Sequence, residues 1–143
     1  MLHDEITELT RSIWARSKRL SKFSGLIGVD CPRVLFFSGG TTAGYASWEG
    51  SKGGKKYGFE VSFNLGIASR VGVDEFRSTI VHELAHVAVW VLCSWAKQNH
   101  GPEFREICLG MGGNGRTYHS YDLKGMERGR KGGKIWMEQP PEV

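Results

Sequence analysis

The stretch DEFRSTIVHELAHVAVWVLCSWAK, residues 74–97, decides the fold of this chain. Its apolar residues at positions 76, 80, 84, 87 and 91 recur at helical spacing. Asp74 and Glu75 lie at its start, where the helix dipole favours acidic groups. The pattern predicts a helix from Asp74 to about Lys97.

Inside this helix lies the motif His82-Glu83-Leu84-Ala85-His86, which has the form H-E-x-x-H. Two histidines four residues apart share one helix face, so both imidazoles can reach the same ion. Zinc suits neutral imidazole nitrogen, and in catalytic sites it takes three protein ligands and a water. Glu83 could then accept the proton of a water acidified by the cation. The motif predicts a zinc site with His82 and His86 as ligands and Glu83 as the catalytic base.

A third ligand is needed, and His100 is the leading candidate because it lies in the break just after the motif helix. Pro102 follows at a plausible first position of another helix, which Gly112 and Gly113 would end. A turn between the two helices can bring His100 to the metal. His119 is the alternative ligand and His3 a more remote one.

The rest of the chain predicts a small α+β domain. Apolar residues at 2, 6, 9, 13 and 20 indicate an amphipathic first helix. Strand candidates lie at 34–37, 43–48 and 59–64, with a hairpin tip at 52–56. A short strand is expected at 134–137. Trp90 and Trp95 are expected in the core, whereas Trp48 could be exposed to a ligand.

The run from Ser78 to Gly113 resembles the SprT-like zinc metallopeptidase domain, a family that includes the Spartan proteases of DNA–protein crosslink repair. The resemblance is carried by the H-E-x-x-H motif followed by HGPEF at 100–104. AGYA at 43–46 and VSFNL at 61–65 are also similar to the family, so the resemblance covers roughly Ile6 to Gly113. By position, it implies that His82, His86 and His100 are the zinc ligands and that Glu83 is the catalytic base.

The resemblance also implies a zincin-like core: an N-terminal helix, a small mostly antiparallel sheet, the motif helix and a following helix that delivers His100. It implies an edge strand from Phe59 to Asn64 that borders the cleft, where an extended protein substrate could pair by main-chain hydrogen bonds. The implied activity is zinc-dependent hydrolysis of peptide bonds, with DNA-associated proteins as candidate substrates. Many SprT proteins continue into a cysteine-rich zinc ribbon, but the widely spaced Cys31, Cys93 and Cys108 form no such pattern.

Two questions stay open at the level of the sequence. The residue that stabilises the oxyanion could be Tyr118, His119 or Tyr121. The alternative function is a nucleic-acid-associated or host-protein-binding module with a non-catalytic zinc site, whose fourth coordination position would be closed.

Length and composition indicate how many domains the chain contains. Its 143 residues are 40% hydrophobic and 24% charged, which is typical of one globular domain. We expect a metallopeptidase domain at 1–123 and a basic, glycine-rich tail at 124–143. The net charge is +4. Five cations of the tail could bind DNA phosphates: Lys124, Arg128, Arg130, Lys131 and Lys134.

No membrane-spanning segment is expected, because the longest nearly apolar stretch, Val87 to Ala96, is about half of the roughly 20 residues required. The first five residues carry acids and lack the layout of a secretory signal. The sequence therefore predicts a cytoplasmic protein. It leaves the oligomeric state open.

Overall fold

The computed structural model describes residues 1–117, 119 and 121–126, together with the backbone of a strand at 135–138. It has the α+β composition expected from the sequence. The elements are α1 (Leu2–Lys18), a 3₁₀ helix (Ser21–Leu26), β1 (Arg33–Ser38), β2 (Gly44–Lys52), β3 (Lys55–Asn64), α2 (Leu65–Val71), α3 (Val73–Leu92), α4 (Pro102–Gly110) and β4 (Ile135–Glu138).

The sheet is mixed, with the strand order β2-β3-β1-β4. β1 and β3 are parallel, and the other two pairings are antiparallel, as in the mostly antiparallel sheet expected. The prediction that residues 59–64 form the edge strand is wrong. Residues 60–63 pair with β1 on one side and with β2 on the other, and the strand becomes almost completely buried towards Asn64. Among the described strands, the edge on the hairpin side is β2.

Asn64 ties the sheet to the loop that connects β1 and β2. This loop crosses the end of β3, where the buried Asn64 side chain donates to the carbonyl oxygens of Gly39 and Thr42, both at 3.0 Å. Its Oδ1 accepts from the backbone N–H of Gly66 at 3.0 Å and so caps α2. The sequence interpretation did not include α2. One buried amide therefore holds the loop at 39–42 in place.

Helix α3 is the centre of the core. It is buried on nearly all sides, through Phe76, Thr79, Ile80, Val81, Glu83, Leu84, Ala85, Val87, Ala88 and Val89. Such a helix must be surrounded by other elements, and α1, α2, α4, β2 and β3 all contact it.

The expected end of the motif helix near Lys97 is wrong, because α3 ends at Leu92. Cys93 leaves the helical region, with φ −133° and ψ 56°. Trp95 continues the apolar periodicity, but its side chain is 68% exposed, so its expected place in the core is also wrong. Periodicity stabilises a helix only where a packing surface meets it, and the described residues provide none for Trp95.

The N-terminal helix and the last strand agree closely with expectation. α1 ends at Lys18 and buries Ile6, Ile13 and Trp14. The strand expected at 134–137 is present as β4, which pairs antiparallel with β1. The hairpin tip expected at 52–56 is present: Gly53 and Gly54, both at positive φ, form the turn between β2 and β3.

The basic segment is only partly described. Lys124 belongs to the described residues, and its carbonyl oxygen accepts from Arg70 at 2.6 Å. Arg128, Arg130, Lys131 and Lys134 lie outside them. DNA contact by this segment stays a prediction. No helix in the described part of the chain has the length and apolarity needed to cross a membrane.

Candidate metal centre

The structure brings His82, His86 and His100 together. His82 and His86 lie one turn apart on α3, and His100 lies just before α4, whose N-cap is Gly101. The Nε2 atom of His82 is 3.2 Å from Nε2 of His86 and 3.2 Å from Nε2 of His100. One ring nitrogen from each residue lies within 4.8 Å of the others. The three form a cluster that could hold a metal ion.

The donor set fits zinc. Zinc–nitrogen bonds of about 2.0–2.1 Å in a tetrahedron place ligand atoms roughly 3.3 Å apart. The two Nε2–Nε2 distances of 3.2 Å are close to that separation. Three neutral nitrogen donors also suit zinc better than they suit magnesium or calcium, which prefer oxygen.

His82 is oriented by a backbone carbonyl. Its Nδ1 lies 3.2 Å from the carbonyl oxygen of Arg116, to which the Nδ1–H donates. The Nε2 lone pair then faces the other two histidines. Metal-binding histidines usually have such a partner on the second ring nitrogen. Sequence reasoning did not identify Arg116, because its backbone provides the contact.

The turn after α4 brings this carbonyl to His82. Gly112 has a φ of 94°, and the N–H of Gly113 donates to Cys108 at 2.8 Å. The N–H of Gly112 donates to Leu109, which completes a Schellman ending. A Cβ at Gly113 would lie 2.6 Å from the Cys108 sulfur. The glycine pair that was expected to end the helix therefore also returns the chain towards the site.

Phe104 packs against all three histidines. Its ring centroid lies 4.5 Å from that of His86, 4.9 Å from that of His82 and 5.0 Å from that of His100. The side chain is fully buried on α4. Because an imidazole can turn about its side-chain bonds, a rigid neighbour limits its orientations. This contact gives a physical reason for the phenylalanine of HGPEF.

Burial controls the protonation of the cluster. It lowers the pKa of His82 to about 4 and that of His86 to about 3, and the neighbouring imidazoles add to both shifts. Burial also lowers the pKa of His100. All three rings are therefore neutral at physiological pH and can offer a lone pair to a metal ion.

Glu83 is the buried carboxyl of the site. Its side chain lies on the same helix between the two histidines and is 6% exposed. Desolvation raises its pKa to about 8. A cation bound nearby would favour the carboxylate form.

A cavity of about 300 Å³ opens beside His82 and Glu83. The loop at 41–44 forms one wall, and residues of the returning segment, including Arg116 and His119, form another. Gly44 starts β2 directly against the motif helix: a Cβ there would lie 2.9 Å from the Ser62 carbonyl oxygen and 3.1 Å from Cγ of Glu83. The strand edge that begins at the site is therefore that of β2.

His119 lies in the wall of this cavity and outside the histidine cluster. Its Nε2 is 3.1 Å from the Thr41 carbonyl oxygen, and its Nδ1 accepts from the Tyr121 N–H at 3.4 Å. Both ring nitrogens are thus engaged by the backbone. His3 packs against Phe36 and is likewise outside the cluster.

The oxyanion candidates occupy different environments. The hydroxyl of Tyr121 is held on α3 by Ser78 at 2.9 Å and Thr79 at 2.8 Å. His119 borders the cavity, as described above, and Tyr118 lies outside the described residues. Of the two candidates that the structure describes, His119 lines the cavity and Tyr121 does not.

Fold and site together define a metallopeptidase-like domain built around a three-histidine cluster. Comparison with protein families agrees with this class: the SprT-like family model matches residues 15–123. The chain belongs to the SprT-like family, so the resemblance read from the motifs is confirmed. No curated protein and no solved structure matches the chain.

The raised pKa of Glu83 predicts a pH effect on the metal-free protein. Between pH 4.5 and about 8, the folded state keeps a proton that the unfolded chain loses. Glu83 therefore lowers the free energy of unfolding as the pH rises through this window. Glu83→Gln has no carboxyl group, so its stability relative to the metal-free parent should increase by about 1.4 kcal/mol per pH unit within this window and level off above about pH 8.

Urea unfolding of both metal-free proteins, measured across this pH range, checks the expectation. Glu75→Gln is a matched control, because Glu75 is exposed on the same helix. The control should show no such trend. A pH-independent difference between Glu83→Gln and the parent would contradict the burial of the carboxyl.

Proposed function

We propose that this protein is a zinc metallopeptidase that hydrolyses peptide bonds of a protein substrate. In this proposal His82, His86 and His100 hold the zinc, and Glu83 is the catalytic base. The observation that carries the proposal is the position of a buried carboxyl between two histidines of the cluster, on a helix that faces an open cavity. Membership of the SprT-like family supports the same activity.

When bound, zinc supplies Lewis acidity towards a carbonyl oxygen and lowers the pKa of water. Glu83 takes the proton from the attacking water and delivers it to the leaving amine. A carboxyl with a pKa near the working pH serves both steps well, and burial moves the pKa of Glu83 in that direction. The neighbouring histidines stay neutral because burial lowers their pKa values.

The edge of β2 supports a peptide as the substrate. The strand begins at Gly44, beside Glu83, and none of the described residues pairs with its outer side. An extended chain can add to such an edge by main-chain hydrogen bonds, which are independent of sequence. The edge would thus hold a scissile peptide bond beside the base and the histidine cluster.

Metal removal tests this proposal. The zinc-loaded protein is expected to cleave an unfolded protein, such as reduced and alkylated casein, and a chelator should stop the cleavage. Zinc should restore it and magnesium should not, because the donors are imidazole nitrogens. Electrophoresis and mass spectrometry of the products measure the rate. Equal cleavage after chelation, or none by the zinc-loaded protein, would contradict the proposal.

A further inference from the structure

A second cavity, of about 180 Å³, is lined by His86 but not by Glu83. It is formed between the β2–β3 hairpin, the end of α3 and the segment at 94–99 that follows this helix. Its lining includes Trp48, Lys56, His86, Val89, Trp90 and Cys93. His86 therefore contributes both to the metal cluster and to this cavity. A group bound here would lie next to the metal centre.

Aromatic rings form one continuous wall of this cavity. The rings of Trp48 and Trp90 meet edge to face at 4.9 Å, and Trp90 stacks on His86 at 6.3 Å. Phe59 supports Trp90 from β3, with a centroid distance of 6.2 Å. The wall thus connects the hairpin to the metal cluster without a gap.

Trp48 is 44% exposed, although it is one of the largest apolar side chains of the protein. The Lys56 ammonium lies 4.9 Å from its ring centroid and is held by a cation–π contact. An exposed aromatic surface beside a cavity is typical of a binding site. The position of Trp48 next to a cavity distinguishes it from Tyr57, which is exposed on the same hairpin but does not line this cavity.

The strand β2 connects this cavity to the catalytic base. Gly44 lies against Glu83, and Trp48, four residues further along the strand, lies against Trp90. Residues 44 and 48 are on the same face of the strand, roughly 13 Å apart. A peptide paired with this edge would pass the histidine cluster between those two points. Alternate side chains of the peptide would face α3, and one of them would meet the second cavity.

We infer that this cavity is a substrate subsite that receives one large apolar side chain, aromatic or long aliphatic, close to the scissile bond. The inference rests on the proposed peptidase function. A cavity of about 180 Å³ is smaller than the roughly 300–1,000 Å³ pockets that enclose whole small-molecule ligands, which limits the occupant to about one side chain. Two tryptophans and the aliphatic side chains of Val89 and Ala96 form the apolar part of the lining, and Ser94, Gln98 and Asn99 form a polar part. The ammonium group of Lys56, which also lines the cavity, is already engaged by Trp48. The exposed ring of Trp48 favours an apolar side chain against it, and the engagement of Lys56 by Trp48 disfavours an acidic one.

Peptide binding by zinc-loaded Glu83→Gln tests the subsite without requiring cleavage. The probes are soluble alanine-based peptides that carry one Phe, Leu, Glu or Gly at the centre. A peptide can slide along the strand edge until its variable side chain enters the cavity. We expect the Phe and Leu peptides to bind about 10- to 100-fold more tightly than the Gly peptide in calorimetric titrations.

Trp48→Ala in this background should remove most of that preference, and Trp48→Phe should restore part of it. Tyr57→Ala is the matched control and should keep the preference. Circular dichroism checks that each variant folds. Tightest binding of the Glu peptide, equal or undetectable binding of all peptides, or a preference that survives Trp48→Ala would overturn the inference. Cleavage by the wild-type protein is measured separately, so a failure of the peptidase proposal and a failure of the subsite give different results.

Discussion

Replacing Glu83 by glutamine is expected to leave the zinc content unchanged and to reduce peptide hydrolysis by about a hundredfold to ten-thousandfold. Glutamine keeps the size of the side chain and can fill the same buried position on α3. It cannot accept the proton of the attacking water. The three imidazole donors are unchanged, so the metal should stay bound. Elemental analysis and the rate of casein cleavage measure the two effects.

The matched control for this prediction is Glu75→Gln, on the exposed part of the same helix. It removes the same charge from α3 far from the cluster and should cleave at the parental rate. If Glu83→Gln cleaves as fast as the parent, the assigned base is wrong. If it loses zinc, Glu83 has a role in the metal site that our assignment does not include.

The second large effect is expected at His100. His100→Ala removes one of three clustered donors, and zinc affinity should fall by more than the roughly 10- to 100-fold that loss of an outer hydrogen-bond partner costs. His119→Ala should leave zinc affinity nearly unchanged, because the His119 ring is engaged by the backbone of Thr41 and Tyr121. Competition with a chromophoric chelator measures both affinities.

The two histidine variants control for each other, since each removes one exposed imidazole. The reverse outcome, with zinc lost in His119→Ala and kept in His100→Ala, would move the third ligand to His119. It would also mean that the chain around the cavity rearranges when the metal binds.

Local sequence patterns predicted the histidine cluster well. His82, Glu83 and His86 belong to one helix turn, so their spacing alone places them together. The position of His100 was harder to predict, because His100 reaches His82 only through the path of the chain between α3 and α4. The start of α4 at Pro102 and its end before Gly112 are also predicted by local sequence signals, and the structure contains both.

Contacts between segments that are distant in the sequence could not be predicted from these local patterns. The alternation in β3 indicates a strand but does not say how many neighbours it has, and the edge position that the family resemblance implied for it is wrong. Asn64 was assigned to a strand end, although an asparagine at this position is also a typical helix cap. Contacts through backbone atoms, such as the Arg116 carbonyl on His82, leave no side-chain signal in a sequence.

The aromatic wall formed by Trp48, Trp90 and His86 is another feature that local patterns do not predict. The sequence places Trp90 in the core and leaves Trp48 as a residue that could be exposed to a ligand, but no pattern in it predicts that the two rings meet. Their contact depends on the register of β2 and β3, which pairs Trp48 with Phe59 beside α3. The subsite is therefore a property of the folded chain.

The central claim is that the three histidines hold a zinc ion with one coordination position open to the cavity. An alternative, non-catalytic zinc site would have that position closed by the protein. A crystal structure with anomalous scattering recorded at the zinc edge measures this directly. We predict one anomalous peak bonded to Nε2 of His82, His86 and His100, with no fourth protein ligand. A peak closed by a fourth protein ligand, or no peak at the three histidines in zinc-loaded crystals, would contradict the claim.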